Sequence, residues 1–209
     1  MSEAVPRPRS ETLGDLLDEM AAATPRSLAV IFRDERLDYA ALKVLVDSFA
    51  RALLATGVRR GDRVALLVTN RTEWLVAAFG AAKIGAVTAA ISTFSTPREL
   101  GWTLEHCGAS VLVTLDTFRG RSFLGALHDL CPELARSAAG ALRSAKLPAL
   151  HTVVAVQGSP AAGAFSLADF LARGAGVGPA ELAAAQRKVR PEDICYIPIP
   201  PARPPRPKA

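Results

Sequence analysis

The sequence predicts an α/β protein built on a mostly parallel sheet with helices on both faces. Two observations carry that prediction. From Arg63 onward, short apolar runs alternate with stretches of helical periodicity, in the order RVALLVT, RTEWLVAAFGAAKIG, AVTAAIS, PRELGWTLEHCG, SVLVTL. The apolar runs are also continuous rather than alternating, so neither side is marked for solvent, as in parallel strands covered on both faces. Val64 to Val68, Val87 to Ile91 and Val111 to Val113 are the expected centre of the sheet.

Ahead of this alternation, TLGDLLDEMAAA sets Leu13, Leu16, Leu17 and Met20 on one helical stripe, with Thr12 or Glu11 as the cap and Pro25 beyond its end. SLAVIFRDERLDY reads as two β-rich runs around a charged turn at Asp34 and Glu35, a hairpin pattern. AALKVLVDSFARALLATG returns to helical spacing and stops at Gly57, where a left-handed cap is expected. After the alternating region come a helical stretch at FLGALHDLCPEL, an Ala-, Arg- and Ser-rich loop, and a further strand at HTVVAV. GSPAAGAFS reads as an exposed loop, SLADFLARG and PAELAAAQRKV as short helices, and VRPEDICYI as the approach to a last strand, expected at an exposed sheet edge.

Composition narrows the function. Half of the 209 residues are hydrophobic, as in a chain that buries a core. The net charge of +5 is not a nucleic-acid footprint, because Arg203, Arg206 and Lys208 at the end supply three of those charges and no aromatics alternate with the other arginines. Three cysteines, Cys107, Cys131 and Cys195, make no paired framework, and MSEAVPRPRS lacks the apolar core of a secretory signal, so a cytoplasmic location is expected. No apolar run approaches the ~20 residues of a membrane span.

Several segments resemble the amino-terminal region of the acyl-CoA synthetase branch of the adenylate-forming superfamily, the AMP-dependent synthetases and ligases. Leu37-Asp38-Tyr39-Ala40-Ala41-Leu42 is similar to an early L-[ST]-Y-x-E-L box, with Ala41 where an acid is common. Gly57 to Leu66, GVRRGDRVAL, resembles the family's turn into a strand. Asn70 to Ile91 resembles the following helix and strand, with Ala89-Ala90 in place of Val-Pro. FSTPRELGWTLEHCGASVLVT continues the likeness, and Val189 to Ile197, VRPEDICYI, resembles the lead-in to the phosphate loop. The order and spacing of these boxes carry the resemblance. Gly57 and Gly61 suit backbone conformations closed to larger residues, Asp62 can satisfy amides of its turn, and Gly85 ends a helix against the next strand.

The resemblance implies an incomplete amino-terminal part of the adenylate-forming fold: 1–11 disordered, 12–197 the first part of the AMP-binding domain, and 198–209 a disordered Pro/Arg-rich tail. In the complete family a carboxylic acid and ATP give an acyl-adenylate and pyrophosphate, then a thioester with CoA, with Mg²⁺ balancing phosphate charge. Fatty acids of medium or long chain are the substrates to expect. The family's phosphate loop typically reads Y-T-S-G-S-T-G-x-P-K-G, a cradle of amides and hydroxyls. PIPPARPPRPKA stands in its place with no hydroxyl, and its prolines lack amide hydrogens. The other parts used in the chemistry come later in the family's chain, so no catalytic, cofactor-binding or metal residue is assigned, and the chain alone is expected to bind no cofactor and to have no ligase activity.

Other constellations carry less. His106, Cys107, His128 and Cys131 offer zinc-type ligands at poor spacing. No G-x-S-x-G elbow surrounds Ser159 or Ser166. Trp74 and Trp102 are expected to pack, and Arg59-Arg60 to face water. An alternative of another class is a non-catalytic α/β fragment whose PPARPPRPK tail binds a polyproline-recognising domain.

The tail itself is the expected product of a frameshift. Reading each codon from the third base of one residue through the first two of the next, from Pro198 onward, permits Y-T-S-G-S-T-x-x-P-K-G. Resequencing the coding DNA is expected to show a neighbouring frame that continues into a ligase; an uninterrupted frame with no ligase sequence beside it overturns the expectation.

Overall fold

The computed structural model describes residues 8–158, 160 and 162–199. In chain order the elements are α1 (Leu13–Ala23), β1 (Leu28–Phe32), β2 (Glu35–Asp38), α2 (Tyr39–Ala55), β3 (Arg63–Leu67), α3 (Thr72–Lys83), β4 (Val87–Ala90), α4 (Pro97–Cys107), β5 (Ala109–Thr114), β6 (Thr117–Phe118), β7 (Arg121–Ser122), α5 (Phe123–Leu130), β8 (Thr152–Ala155), β9 (Phe165–Ser166), α6 (Leu167–Arg173), α7 (Pro179–Gln186) and β10 (Tyr196–Pro198). They divide into two units that interleave along the chain. One takes the chain up to Asp62 with Asn70–Val87 and Ala168–Cys195; the other takes Arg63–Thr69, Thr88–Leu167 and the chain from Tyr196.

The first unit is mainly helical. Thr12 caps α1, its hydroxyl accepting from the Asp15 amide at 3.2 Å, and Leu17 and Met20 of the expected stripe are buried while Leu13 is exposed. β1 and β2 pair as the expected hairpin, Phe32 opposite Glu35, with Arg33 in the left-handed region between them. Asp38 ends β2 and caps α2, accepting from the Ala41 amide at 2.8 Å. Gly57 follows α2 at φ +91°, the left-handed stop the sequence calls for. Val46, Phe49 and Leu53 of α2 are buried, and Phe49 meets Phe170 of α6 at 5.1 Å between tilted rings. Close approach here depends on Gly174, where a Cβ would stand 2.7 Å from the Ala52 amide nitrogen.

Among its described residues, one charged side chain, Lys83, is buried in this unit. Lys83, at the end of α3, is 2 % exposed, and its ammonium binds Asp18 of α1 at 2.6 Å and Asp47 of α2. Lys43 pairs with the same two carboxylates, and Gln186 of α7 donates to Asp18 at 2.9 Å and Asp15 at 2.6 Å. Burial raises the Asp18 carboxyl, yet donation from Lys83 and Gln186 outweighs it and holds the group below the usual range. Four helices are thereby tied through one cluster of charged and amide groups.

The second unit holds the sheet, six strands in the order β10-β4-β3-β5-β8-β9. Every pairing described in it is parallel: β10 with β4, β3 with β5, β5 with β8, and β8 with β9. All six residues of β5 and all four of β8 are buried, the reason their sequences carry no polar alternation. α4 starts with a capping box between Thr96 and Glu99, has Pro97 in its first turn and stops at Gly108 with φ +58°. Ser122 caps α5, and Gly101 lets α4 approach it, since a Cβ there would stand 2.9 Å from Leu130.

Two readings change. The stretch expected as an exposed loop, 158–166, ends in β9 with Phe165 buried; a Cβ on Gly163, at φ +81°, would stand 2.0 Å from the Leu134 carbonyl oxygen, so the chain is pressed against the protein there. Ser159 and Ala161 of that stretch lie outside the described residues. Trp102 is 57 % exposed and stacks on His106 at 4.7 Å instead of packing inward. Arg59 and Arg60 are exposed, as expected, but both are hydrogen-bonded to protein groups. The expected disorder of 1–11 falls largely on residues 1–7, outside the described residues; Arg9 and Ser10 donate their amides to Glu19 at 2.9 Å. The tail from Pro200 also lies outside them.

Replacing Lys83 by Met keeps the volume but leaves Asp18 and Asp47 without their buried partner. The substitution is expected to lower unfolding free energy by about 2 kcal/mol in urea titration; an unchanged midpoint would show that Lys43 alone neutralises both acids.

Candidate functional site

Two constellations are assembled from residues far apart in sequence. The first lies where the chain enters β3 and approaches β10. The turn Gly57–Asp62 carries Gly61 at φ +87°, and Asp62 accepts from the Arg59 amide at 2.7 Å, the role its position suggests. The Gly61 amide donates to the Gly85 carbonyl at 2.8 Å and the Val87 amide to the Asp62 carbonyl at 2.7 Å, so the turn is fixed against the end of α3. Arg60 reaches from this turn to Asp193, Nε to Oδ2 at 2.7 Å and Nη2 to Oδ1 at 2.5 Å, a fork-to-carboxylate pair. The Arg190 amide also donates to Asp193, at 2.9 Å. Arg60 first, and then the Arg190 amide, hold the Asp193 carboxyl down at about 2.

These contacts join three of the boxes that the sequence shows separately, 57–66, 70–91 and 189–197. Gly85 explains the seating. At φ +74°, a Cβ there would stand 2.8 Å from Cγ of Arg60 and 3.3 Å from Cγ2 of Val189, so only glycine leaves room for both.

The second constellation lies in the sheet unit, beyond the carboxyl end of β3, the side on which open parallel sheets take ligands. A cavity of about 370 Å³ is walled by Leu67, Leu100 and Phe123 and edged by Ser95, Arg121 and Asp129. A second hollow of about 400 Å³ shares Pro97, Ala126 and Asp129 with it and extends to Trp102 and Lys146. Arg121 donates to the Thr93 carbonyl at 3.3 Å and to the Ser95 carbonyl, fastening the loop after β4 to the β6–β7 hairpin. At the same junction Arg119, in the left-handed region, lies 5.4 Å from the Phe118 ring centroid and 5.9 Å from that of Phe94, which is 69 % exposed. The exposed Phe94 ring beside guanidinium groups suits a planar heterocycle that carries negative charge.

None of Phe94, Phe118, Arg119 or Arg121 stands out in the sequence. The Arg119-Gly120-Arg121 turn is the one available signal, and Gly120 at φ +75° is what closes it. The four residues weighed for zinc do other things: His106 stacks on Trp102, Cys107 contacts the Leu104 carbonyl at 3.7 Å, Cys131 is buried, and His128 meets the Ala162 carbonyl at 3.2 Å. Burial pushes the Cys131 and Cys107 thiols up, away from reactive thiolate. Among the described residues no group of three or more His, Cys, Asp or Glu could hold a metal ion. Among them, too, no helix is long and apolar enough to cross a membrane.

Comparison with known proteins shows the family and the fold. The family described as AMP-binding enzyme matches residues 17–198. The mitochondrial medium-chain acyl-CoA ligase ACSF2 of Mus musculus is 32% identical over 165 residues, 78% of this chain and 27% of the relative; its Danio rerio counterpart is 29% identical over 193 residues, 91% and 31%. The chain thus spans less than a third of these relatives. Among solved structures, the anthranilate CoA ligase AuaEII in complex with anthranoyl-AMP superposes with a TM-score of 0.65 at 24% identity, over 79% of this chain and 29% of that one, a likeness of fold.

Asp193 gives a direct test of the first constellation. Its folded value lies below the ordinary 3.8, so the stability it contributes is present above about pH 4 and is lost as the pH falls toward 2. NMR titration of the Asp193 carboxyl is expected to give a midpoint near 2 that rises in Arg60→Gln; a midpoint at the ordinary value in the unaltered chain removes the pair.

Proposed function

The chain belongs to the AMP-binding enzyme family, and we propose that it is the amino-terminal part of an AMP-forming acid:CoA ligase that does not turn over by itself. The observation that carries this reading is the convergence of the separate sequence boxes on the Arg60–Asp193 pair, at the approach to the strand after which the family's phosphate loop follows. The complete reaction joins a carboxylic acid to AMP with release of pyrophosphate and then passes the acyl group to CoA. Medium- or long-chain fatty acids are the proposed substrates, and the cytoplasm the proposed location.

Within that scheme the parts of this chain have separable tasks. The sheet supplies a rigid floor, and the cavity at Arg121, with Phe94, Phe118 and Arg119 beside it, supplies chemistry for a phosphate-bearing heterocycle, a feature common to ATP and CoA. The grip on a triphosphate is what the sequence from Pro198 lacks. ATP therefore has a wall here but no hydroxyl-bearing cradle in residues 198–209, which supports inactivity of the chain in isolation.

Two measurements check the reading. Purified chain, given ATP, magnesium and a series of fatty and aromatic acids, is expected to exchange no labelled pyrophosphate into ATP above background; exchange that depends on the acid overturns the proposed inactivity. Isothermal titration of the isolated chain with CoA or ATP is expected to show no saturable heat; saturable binding that Arg119→Ala and Arg121→Ala reduce would overturn that expectation.

A further inference from the structure

We propose that Arg60 and Asp193 form a latch that fixes the path of residues 189–195 ahead of β10, which makes Arg60 a positioning residue for the segment that follows. The positioning role rests on the reading of this chain as part of a ligase; the latch itself rests on geometry alone.

β10 holds its own register weakly. It has three residues and lies at the edge of the sheet, paired on one side only, Tyr196 with Thr88, Ile197 with Ala89 and Pro198 with Ala90. Register is strongly specified where one face of a strand is buried, and here Tyr196 is 45 % exposed and Ile194, just upstream, 65 %. Among the described residues of the strand only Ile197 is half-buried, opposite Ala89, so β10 has a weak apolar anchor and the chain that leads into it contributes to its position.

That chain is held at Asp193, three residues ahead of the strand. Its carboxylate is gripped from two directions, by the Arg60 fork and by the Arg190 amide, while its own amide donates to the Arg190 carbonyl at 3.0 Å. Arg60 is in turn immobile at its base, because the turn that carries it is bonded to Gly85 and Val87. Gly85 clears the space in which the Arg60 stem and Val189 lie together. Exposed ion pairs contribute little on average, and two-point geometry on an anchored backbone is the condition under which they matter. The pair spans 133 residues of sequence, so it fixes relative position where no local bond can.

Hydrogen exchange measured by mass spectrometry on the whole chain tests this. Arg60→Gln and Asp193→Asn are expected to speed exchange severalfold across 189–195 while α2 and β5 keep their rates. Arg60→Lys keeps the charge but loses the fork, and is expected to behave like Arg60→Gln. Unchanged rates at 189–195, equal acceleration throughout the chain, or full retention of protection by Arg60→Lys each overturn the latch. In the ligase read through a repaired frame, Arg60→Gln is expected to raise the KM for ATP severalfold with the KM for the acid unchanged; an equal change in both overturns the positioning role. Absence of acid-dependent pyrophosphate exchange in the unaltered repaired enzyme would instead sink the ligase reading, and the exchange rates at 189–195 would still decide the latch.

Discussion

The junction of the Gly57–Asp62 turn with Gly85 is the constraint from which the rest follows. Two backbone bonds, Gly61 to Gly85 and Val87 to Asp62, bring the entry to β3 and the entry to β4 together at fixed spacing. Both glycines sit at positive φ, and at Gly85 a side chain would also collide with Arg60. Backbone conformation and steric clearance thus demand the same residue. Once this junction is set, Arg60 stands where its guanidinium can take Asp193, and the approach to the last strand inherits its position from the first.

A second constraint works on the helical unit. Lys83 ends α3 in surroundings that would exclude a lone charge, and it is tolerated because Asp18 and Asp47 meet it from two other helices. An ammonium between two carboxylates has fewer equivalent placements than an apolar side chain, which relates the rotations of α1, α2 and α3 to one another. Gln186 extends the same logic to α7, which is short and buries only Leu182.

The sheet unit shows how function and stability are divided. β5 and β8 are wholly buried and carry no polar chemistry beyond their own threonines and serine. Charged and aromatic groups gather beyond the carboxyl end of β3, at the loop 92–96 and the hairpin of β6 and β7, where Arg121 joins the two. Rigid strands fix the loops' ends, and the loops present the chemistry.

The sequence by itself determined the fold class, the long helices with their stops at Gly57 and Gly85, the hairpin at 28–38 and the central strands, because each of these rests on periodicity or on a backbone preference confined to a few neighbouring residues. The order of the boxes likewise identified the family. Tertiary structure alone decided the pairings across distance: that Arg60 takes Asp193 when most exposed arginines face water, that Lys83 lies buried between two acids, that Phe165 turns inward, and that Trp102 turns outward. Two-residue strands such as β6, β7 and β9 are too short to show a period, and a charge shows in its own sequence neighbourhood neither its burial nor its partner. Those outcomes depend on which segments meet in space, information that no window of the sequence contains.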